Sequence, residues 1–137
     1  MHPRHAERRL ALDALYQADV MGVAPSAVLE DWQEATGDET PAFAAELVRG
    51  VEDHLAEIDG VIGDLAEGWT VDRLAAVDRA ILRLAILELL YRTDTPVAVA
   101  VSEAVETAHE LSTEDSGRFV NGILGRVARE RAAERRG

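Results

Sequence analysis

Apolar residues recur at intervals of three and four along most of this chain, and that spacing limits its fold more than any other feature. The repeat places apolar side chains on one face of an α-helix, whereas a half-buried strand needs strict alternation. Alanine and leucine together supply 38 of the 137 residues, and proline supplies only 4. Both counts favour helices, so we predict an all-α fold.

We predict about seven helices, bounded by capping residues and by glycines. They are expected at residues 4–20, 26–35, 41–55, 57–67, 71–92, 97–111 and 113–134. Ser112 or Thr113, ahead of two acidic residues, is typical of a helix start, and Gly22, Gly37 and Gly68 suit turns. Residues 96–101 alternate β-branched and small side chains, so a short edge strand is the competing interpretation there. Helix is preferred because an apolar stripe continues to Leu111.

The segment from Leu74 to Tyr91 is apolar on more than one face. A helix of this kind is buried by neighbours on several sides, so we predict that it lies at the centre of the fold. The length of the chain fits one compact domain, and 47% apolar residues can supply its core. We therefore assign residues 1–137 to a single domain.

The absence of cysteine excludes disulfides, thiolate catalysis and cysteine-ligated metal sites. The absence of cysteine also predicts a cytoplasmic location. The apolar stretches are interrupted by charged residues, so we predict no membrane span. The four histidines share no ligand spacing, and no nucleophile or phosphate-loop motif occurs in a suitable context. The sequence thus predicts no enzyme, no metal site and no cofactor.

The net charge of −12 hides a strong polarity along the chain. Residues 1–9 carry a charge of +2 and residues 118–137 carry +4, whereas residues 10–117 carry −18. All 14 basic residues are arginine, whose planar guanidinium can hold a phosphate through two hydrogen bonds. The two ends of the chain are therefore the candidate sites for a polyanion.

Each basic end of the chain includes a helix face that lies opposite the apolar stripe of the same helix. In the last helix, Asp115 and Arg118 lie opposite the apolar stripe together with two glycines, and Phe119 lies at the margin of both stripes. In the first helix, Arg9 and Tyr16 share a face, and arginine beside an aromatic ring suits single-stranded RNA. The simpler interpretation of both faces is a solvated surface. The functional interpretation gains weight because the faces coincide with the two basic regions.

Four segments, in their order and spacing, resemble the NusB family of bacterial transcription antitermination factors. They are residues 8–17, 77–85, 101–106 and 116–124. The most specific piece is the Phe-Val-Asn-Gly motif at residues 119–122, preceded by Glu114-Asp115-Ser116. The resemblance implies an all-helical fold of two small bundles.

The resemblance also implies a function. It predicts binding of single-stranded boxA RNA in ribosomal RNA leader transcripts, jointly with the ribosomal protein NusE, within the RNA polymerase antitermination complex. Carried over by position, the predicted RNA-binding residues are Arg4, His5, Arg8, Arg9, Tyr16, Asp78, Asp115, Arg118 and Phe119.

One departure from the family concerns the N-terminus. Relatives often have a nearly unbroken run of arginines, which His5, Ala6 and Glu7 interrupt here. Fewer neutralised phosphates predict weaker RNA binding by this chain alone and a greater dependence on NusE. The acidic middle of the chain would attract such a basic protein. The alternative function is a homodimeric protein-interaction scaffold that buries the arginine faces and binds RNA weakly.

Overall fold

The computed structural model describes residues 4–131, and within that range the fold consists of seven α-helices and one short 3-10 turn. The prediction of an all-α fold with about seven helices is confirmed. The helices are α1 (His5–Met21), α2 (Pro25–Thr36), α3 (Ala42–Asp53), α4 (Leu55–Leu65), α5 (Ala76–Tyr91), α6 (Val97–Leu111) and α7 (Glu114–Glu130).

The helices form two groups that share α5. In the first group, α1, α2 and α3 pack on one another, and α1 and α3 also contact α5. In the second, α7 packs on α4 and α6, and all three contact α5. Ten residues between Ala80 and Leu90 are buried, on every side of the helix. The predicted central helix is therefore confirmed, and one hydrophobic cluster runs through both groups.

The predicted helix over residues 71–92 was wrong at its start. A 3-10 turn occupies Val71–Arg73, and the backbone is then extended at Leu74 and Ala75 before α5 begins. The side chain of Arg79 explains the break, because its Nη1 donates to the carbonyl oxygens of Val71 at 3.1 Å and Leu74 at 3.0 Å. Both carbonyls thus gain a cationic donor, and the Val71 carbonyl also accepts the backbone N–H of Leu74 at 3.2 Å.

Other boundaries follow the sequence pattern closely. Residues 97–111 form α6, so the helical interpretation is confirmed over the edge strand. The three predicted turn glycines, Gly22, Gly37 and Gly68, all have positive φ, a conformation that other residues rarely adopt. The last helix was predicted to end at residue 134, which lies outside the described residues. Both ends of the domain assigned to residues 1–137 also lie outside them. No helix in the described range is long and apolar enough to cross a membrane.

Candidate nucleic-acid interface

Arg8, a predicted RNA contact, lies inside the protein between two buried carboxylates. Its Nε donates to Glu88 Oε1 of α5 at 2.8 Å, and its Nη1 donates to Glu103 Oε1 of α6 at 3.4 Å. Only 11% of the Arg8 side chain is exposed, and the two glutamates are 1% and 4% exposed. Buried charges of this kind are stable only when they are paired. Arg8 therefore joins α1 to the central helix and to α6.

His5 belongs to the same cluster, at its outer edge. Its Nδ1 lies 2.8 Å from Glu103 Oε2, and about a quarter of the side chain is exposed. A protonated imidazole would give Glu103 a second cationic partner. His5 is thus the point at which the buried cluster meets the protein surface.

Arg4, which directly precedes α1, lies over the aromatic ring of Phe43. Its Cζ is 4.0 Å from the centroid of Phe43, and its Nη1 donates to Asp94 Oδ2 at 3.3 Å. Arg92 approaches the same ring at 5.3 Å and bonds both Asp94 and Glu46. The ring face attracts guanidinium groups. Two arginines from different elements are thereby held together at the surface.

The hydrogen bonds between Arg92 and its acidic neighbours shift the pKa values of Arg92 and Asp94. Burial alone would lower the pKa of Arg92, but its hydrogen bonds to Glu46 and Asp94 outweigh that effect and raise the pKa. The hydrogen bond from Arg92 in turn lowers the pKa of Asp94. Asp94 therefore stays charged and competes with any phosphate for Arg4 and Arg92.

Arg9 and Tyr16 lie further along α1 on its outward face. Arg9 Nη1 lies 3.3 Å from Glu110 Oε1, in the last turn of α6, and its Nε lies 3.5 Å from Asp13. The Arg9 side chain is 35% exposed, so its ion pair with Glu110 is open to water and to competing anions, although its Nε is buried. Tyr16 is 41% exposed. We name the outward residues Arg4, His5, Arg9 and Tyr16 the α1 surface.

The N-terminus of α7 is fixed by side chains from three elements. Thr113 accepts a hydrogen bond from the backbone N–H of Ser116 at 3.0 Å, so of the two predicted candidates Thr113, and not Ser112, is the cap. The hydroxyl of Ser116 donates to Asp78 Oδ2 of α5 at 3.1 Å and also lies 2.9 Å from the Ser112 hydroxyl. Asp78 is only 8% exposed. It holds the start of α7 against the start of α5.

Three predicted residues are presented by the first turns of α7. Asp115 and Arg118 form an ion pair with each other and are both highly exposed. Phe119 is half-buried, packed against the core on one side and bordering a surface groove on the other. We name Asp115, Arg118 and Phe119 the α7 surface. A half-buried ring can fill the core edge and still offer one face to a ligand.

The tertiary structure connects the two surfaces. Arg9 of α1 reaches Glu110, which lies four residues before α7 begins. Seven of the nine predicted residues make up the α1 and α7 surfaces, and Asp78 lies beneath the α7 surface. Arg8 lies beneath the α1 surface, where its donors are used by buried carboxylates.

Sequence reasoning missed the acidic partners of the arginines and one exposed aromatic residue. Glu88 interrupts an otherwise apolar face of α5, and that interruption is the signal that could have predicted a buried ion pair. Trp69, which is 52% exposed, precedes the 3-10 turn and gave no periodic signal. Within the described residues, no cluster of histidine and acidic side chains could hold a metal ion.

The sequence of this chain is similar to those of one protein family. The model of the NusB family matches residues 5–129. Transcription antitermination protein NusB of Symbiobacterium thermophilum is 47% identical over 136 residues, which cover 92% of this chain and 89% of that protein. The protein of the same name from Salinispora arenicola is 47% identical over 131 residues, covering 93% and 96%.

Solved structures give the same result for the fold. The structure of T. maritima NusB matches with a TM-score of 0.85 and 39% identity, covering 96% of this chain and 94% of that one. A crystal structure of antitermination factors NusB and NusE in complex with dsRNA matches with a TM-score of 0.79 and 27% identity, covering 92% and 96%.

Proposed function

The chain belongs to the NusB family, and from that premise we propose that it binds boxA RNA of ribosomal RNA leader transcripts together with the ribosomal protein NusE. The relatives are named transcription antitermination proteins, so the predicted non-enzymatic class is confirmed. Its place of action is the bacterial cytoplasm, within the RNA polymerase antitermination complex. The related crystal structure of NusB and NusE in complex with dsRNA supports NusE and RNA as the classes of partner.

The observation that carries this proposal is the connection between the α1 surface and the α7 surface. Arg9 of the α1 surface is paired with Glu110, four residues before α7 begins, and from this proximity we infer that a single RNA chain contacts both basic regions of a protein that is otherwise acidic. Electrostatic attraction to phosphates supplies much of the affinity of RNA-binding proteins, and aromatic rings supply stacking. The connected surface offers both kinds of group.

We assign separate tasks to the predicted residues. Arg4, Arg9 and Arg118, with His5, contact phosphates, and each arginine exchanges an exposed carboxylate partner for the phosphate. Tyr16 and Phe119 stack on bases. Asp115, which is highly exposed, accepts hydrogen bonds from base or ribose donors. Arg8 and Asp78 act beneath this surface, by holding α1 and α7 in place.

The carboxylate partners also explain the proposed dependence on NusE. Every exposed arginine on this surface has an acidic neighbour, so binding a phosphate costs the loss of an ion pair. RNA affinity of the chain alone is therefore modest. A basic ribosomal protein attracted to the acidic surface adds contacts and raises the affinity.

The test is a binding assay with labelled boxA RNA, scrambled RNA of the same composition and a boxA duplex, each with and without NusE. The proposal expects weak binding of single-stranded boxA RNA by the chain alone, a clear increase with NusE, and weaker binding of the other two RNAs. Equal affinity for boxA and scrambled RNA in the presence of NusE would contradict it. Sedimentation in the same buffer measures whether a homodimer that excludes RNA forms instead.

A further inference from the structure

A groove lies beside the α7 surface, between α7 and the segment that follows α4. It encloses about 470 Å³ and is open to solvent. Its lining includes two aromatic side chains, Trp69 and Phe119, and two guanidinium groups, Arg118 and Arg126, against one carboxylate, Glu67. Flat rings and guanidinium groups together suit the bases and phosphates of RNA. Arg118 is paired here with Asp115, and Arg126 with Glu67 and Glu130, so a phosphate would replace a carboxylate partner.

Trp69 is exposed and directly follows the turn after α4. Its side chain is 52% exposed, while its backbone N–H donates to the carbonyl of Ala66 at 3.0 Å. A large aromatic side chain left open to water on a protein surface often marks a binding site. Phe119 lines the same groove. The groove thus has two aromatic residues, from different parts of the chain.

Arg126 fixes the position of the segment that carries Trp69. Its Nη1 donates to the carbonyl of Leu65, the last residue of α4, at 3.1 Å. A cation at the C-terminus of a helix is favourable, because free carbonyls concentrate negative charge there. This contact attaches the end of α4, three residues before Gly68, to α7. The hydrogen bond from Arg126 to Leu65 therefore helps to set the distance between α7 and the segment that carries Trp69.

Gly122 leaves the floor of the groove open. A Cβ added at Gly122 would meet nothing within 4 Å, whereas one at Gly50 would come within 2.8 Å of Leu87 Cδ2. Packing thus explains Gly50 in α3 and Gly117 in α7, whose added Cβ would collide with the His109 ring, but it does not explain Gly122. Glycine inside a helix weakens it relative to alanine. The open backbone at Gly122 allows a ligand to approach α7 closely.

We propose that Trp69 stacks on a base of the bound single-stranded RNA, which extends the interface from the α7 surface into this groove. The proposal rests on the function proposed above, because it takes the same RNA as the occupant. Phe119 holds a neighbouring base, and Arg118 contacts the phosphate chain where the groove meets the α7 surface. Trp69 is thereby a binding residue that the family resemblance did not assign.

Intrinsic fluorescence tests the contact directly, because the chain has only two tryptophans, Trp32 and Trp69. In the variant Trp32→Phe, Trp69 is the sole tryptophan, and stacking on a base should quench its emission as boxA RNA is added. The variant Trp69→Phe retains Trp32 as the reference signal, which should not change. The difference between wild type and Trp69→Phe gives the same information if Trp32→Phe does not fold.

Affinity measurements complete the test. Trp69→Ala should weaken binding of boxA RNA about 5- to 150-fold, which corresponds to the loss of one stacked base. Trp69→Phe, which keeps an aromatic ring, should recover most of that loss. Met21→Ala, at an exposed apolar residue at the end of α1, is the matched control and should bind as the wild type does.

The outcomes separate this inference from the proposed function. If wild type binds boxA RNA while Trp69→Ala binds equally well and Trp69 emission is unchanged, the groove is not part of the RNA site. If Trp69→Ala loses only the binding of NusE, the groove is a protein site and the inference is wrong. If wild type binds no RNA even with NusE, the proposed function fails and the inference fails with it.

Discussion

Arg8 and Glu88 are 80 positions apart in the chain, and the Nε of Arg8 donates to the Glu88 carboxylate at 2.8 Å in the interior. This contact fixes the first helix on the central helix. Glu103 of α6 binds the same guanidinium at 3.4 Å, so three helices meet at one cation. An arginine in the basic N-terminal region thus has a structural task that its position in the sequence did not indicate.

Removal of Arg8 should therefore destabilise the fold. Arg8→Ala leaves two carboxylates without this buried cation and should lower the free energy of unfolding by about 3–5 kcal/mol. Urea unfolding followed by circular dichroism measures the change. Arg49→Ala, at an exposed arginine of α3, is the matched control and should change stability by less than about 0.5 kcal/mol. Equal stability of the two variants would contradict the assigned role of Arg8.

Arg9 should act on RNA binding without acting on stability. Its ion pairs with Asp13 and Glu110 are exposed to solvent, so Arg9→Ala should cost less than about 1 kcal/mol of folding free energy. Loss of one phosphate contact should weaken binding of all single-stranded RNAs and reduce the slope of log K against log salt by about 0.7. RNA titrations at several salt concentrations measure both. An unchanged slope would remove Arg9 from the interface.

Glu110 should act in the opposite direction. It holds Arg9 at 3.3 Å and thereby competes with phosphate. Glu110→Gln removes that competing charge, so RNA affinity should increase by a few fold, with little change in stability. Glu106→Gln, at an exposed residue one turn earlier on α6, is the control for the change in net charge. The same increase in both variants would show a general charge effect and no specific competition.

Phe119 should contribute to both stability and RNA binding, because it is half-buried and also lines the groove. Phe119→Leu keeps most of the apolar volume but removes the aromatic face. We expect it to cost less than about 1.5 kcal/mol of stability and about 1–3 kcal/mol of RNA binding. Thermal unfolding and RNA titration of the same sample separate the two effects. Full RNA affinity in this variant would assign Phe119 to the core alone.

Asp94 should give a small dependence of stability on pH. The hydrogen bond from Arg92 lowers its pKa below the ordinary value of 3.8, so folding favours the charged carboxylate. The stabilisation is present above pH 3.8 and is lost as the pH falls through the lower pKa of the folded state. Asp94 is largely exposed, so its share is less than about 1 kcal/mol. When urea unfolding is measured from pH 5 to 2, the free energy of unfolding should fall less steeply for Asp94→Asn than for wild type.

The sequence by itself determined the helical class, the central position of residues 76–91 and most helix boundaries. These follow from local properties, namely the spacing of apolar residues, the cap at Thr113 and the turn glycines, which act between near neighbours in the chain. The buried stripe of α7, formed by Val120, Ile123, Leu124 and Val127, was predictable for the same reason. The segment from 71 to 75 was not, because the Arg79 side chain folds back on its carbonyls.

Only the tertiary structure decided which arginines are available to a ligand. Arg8 and Arg9 are adjacent in sequence, yet Arg8 is buried against Glu88 and Glu103, while Arg9 lies at the surface beside Glu110. Apart from Asp13, which lies four residues from Arg9 on the same helix, their partners come from helices 80 to 101 positions away. The pairing of a charge depends on which distant side chains the packing brings within a few ångströms, and no local pattern records that distance.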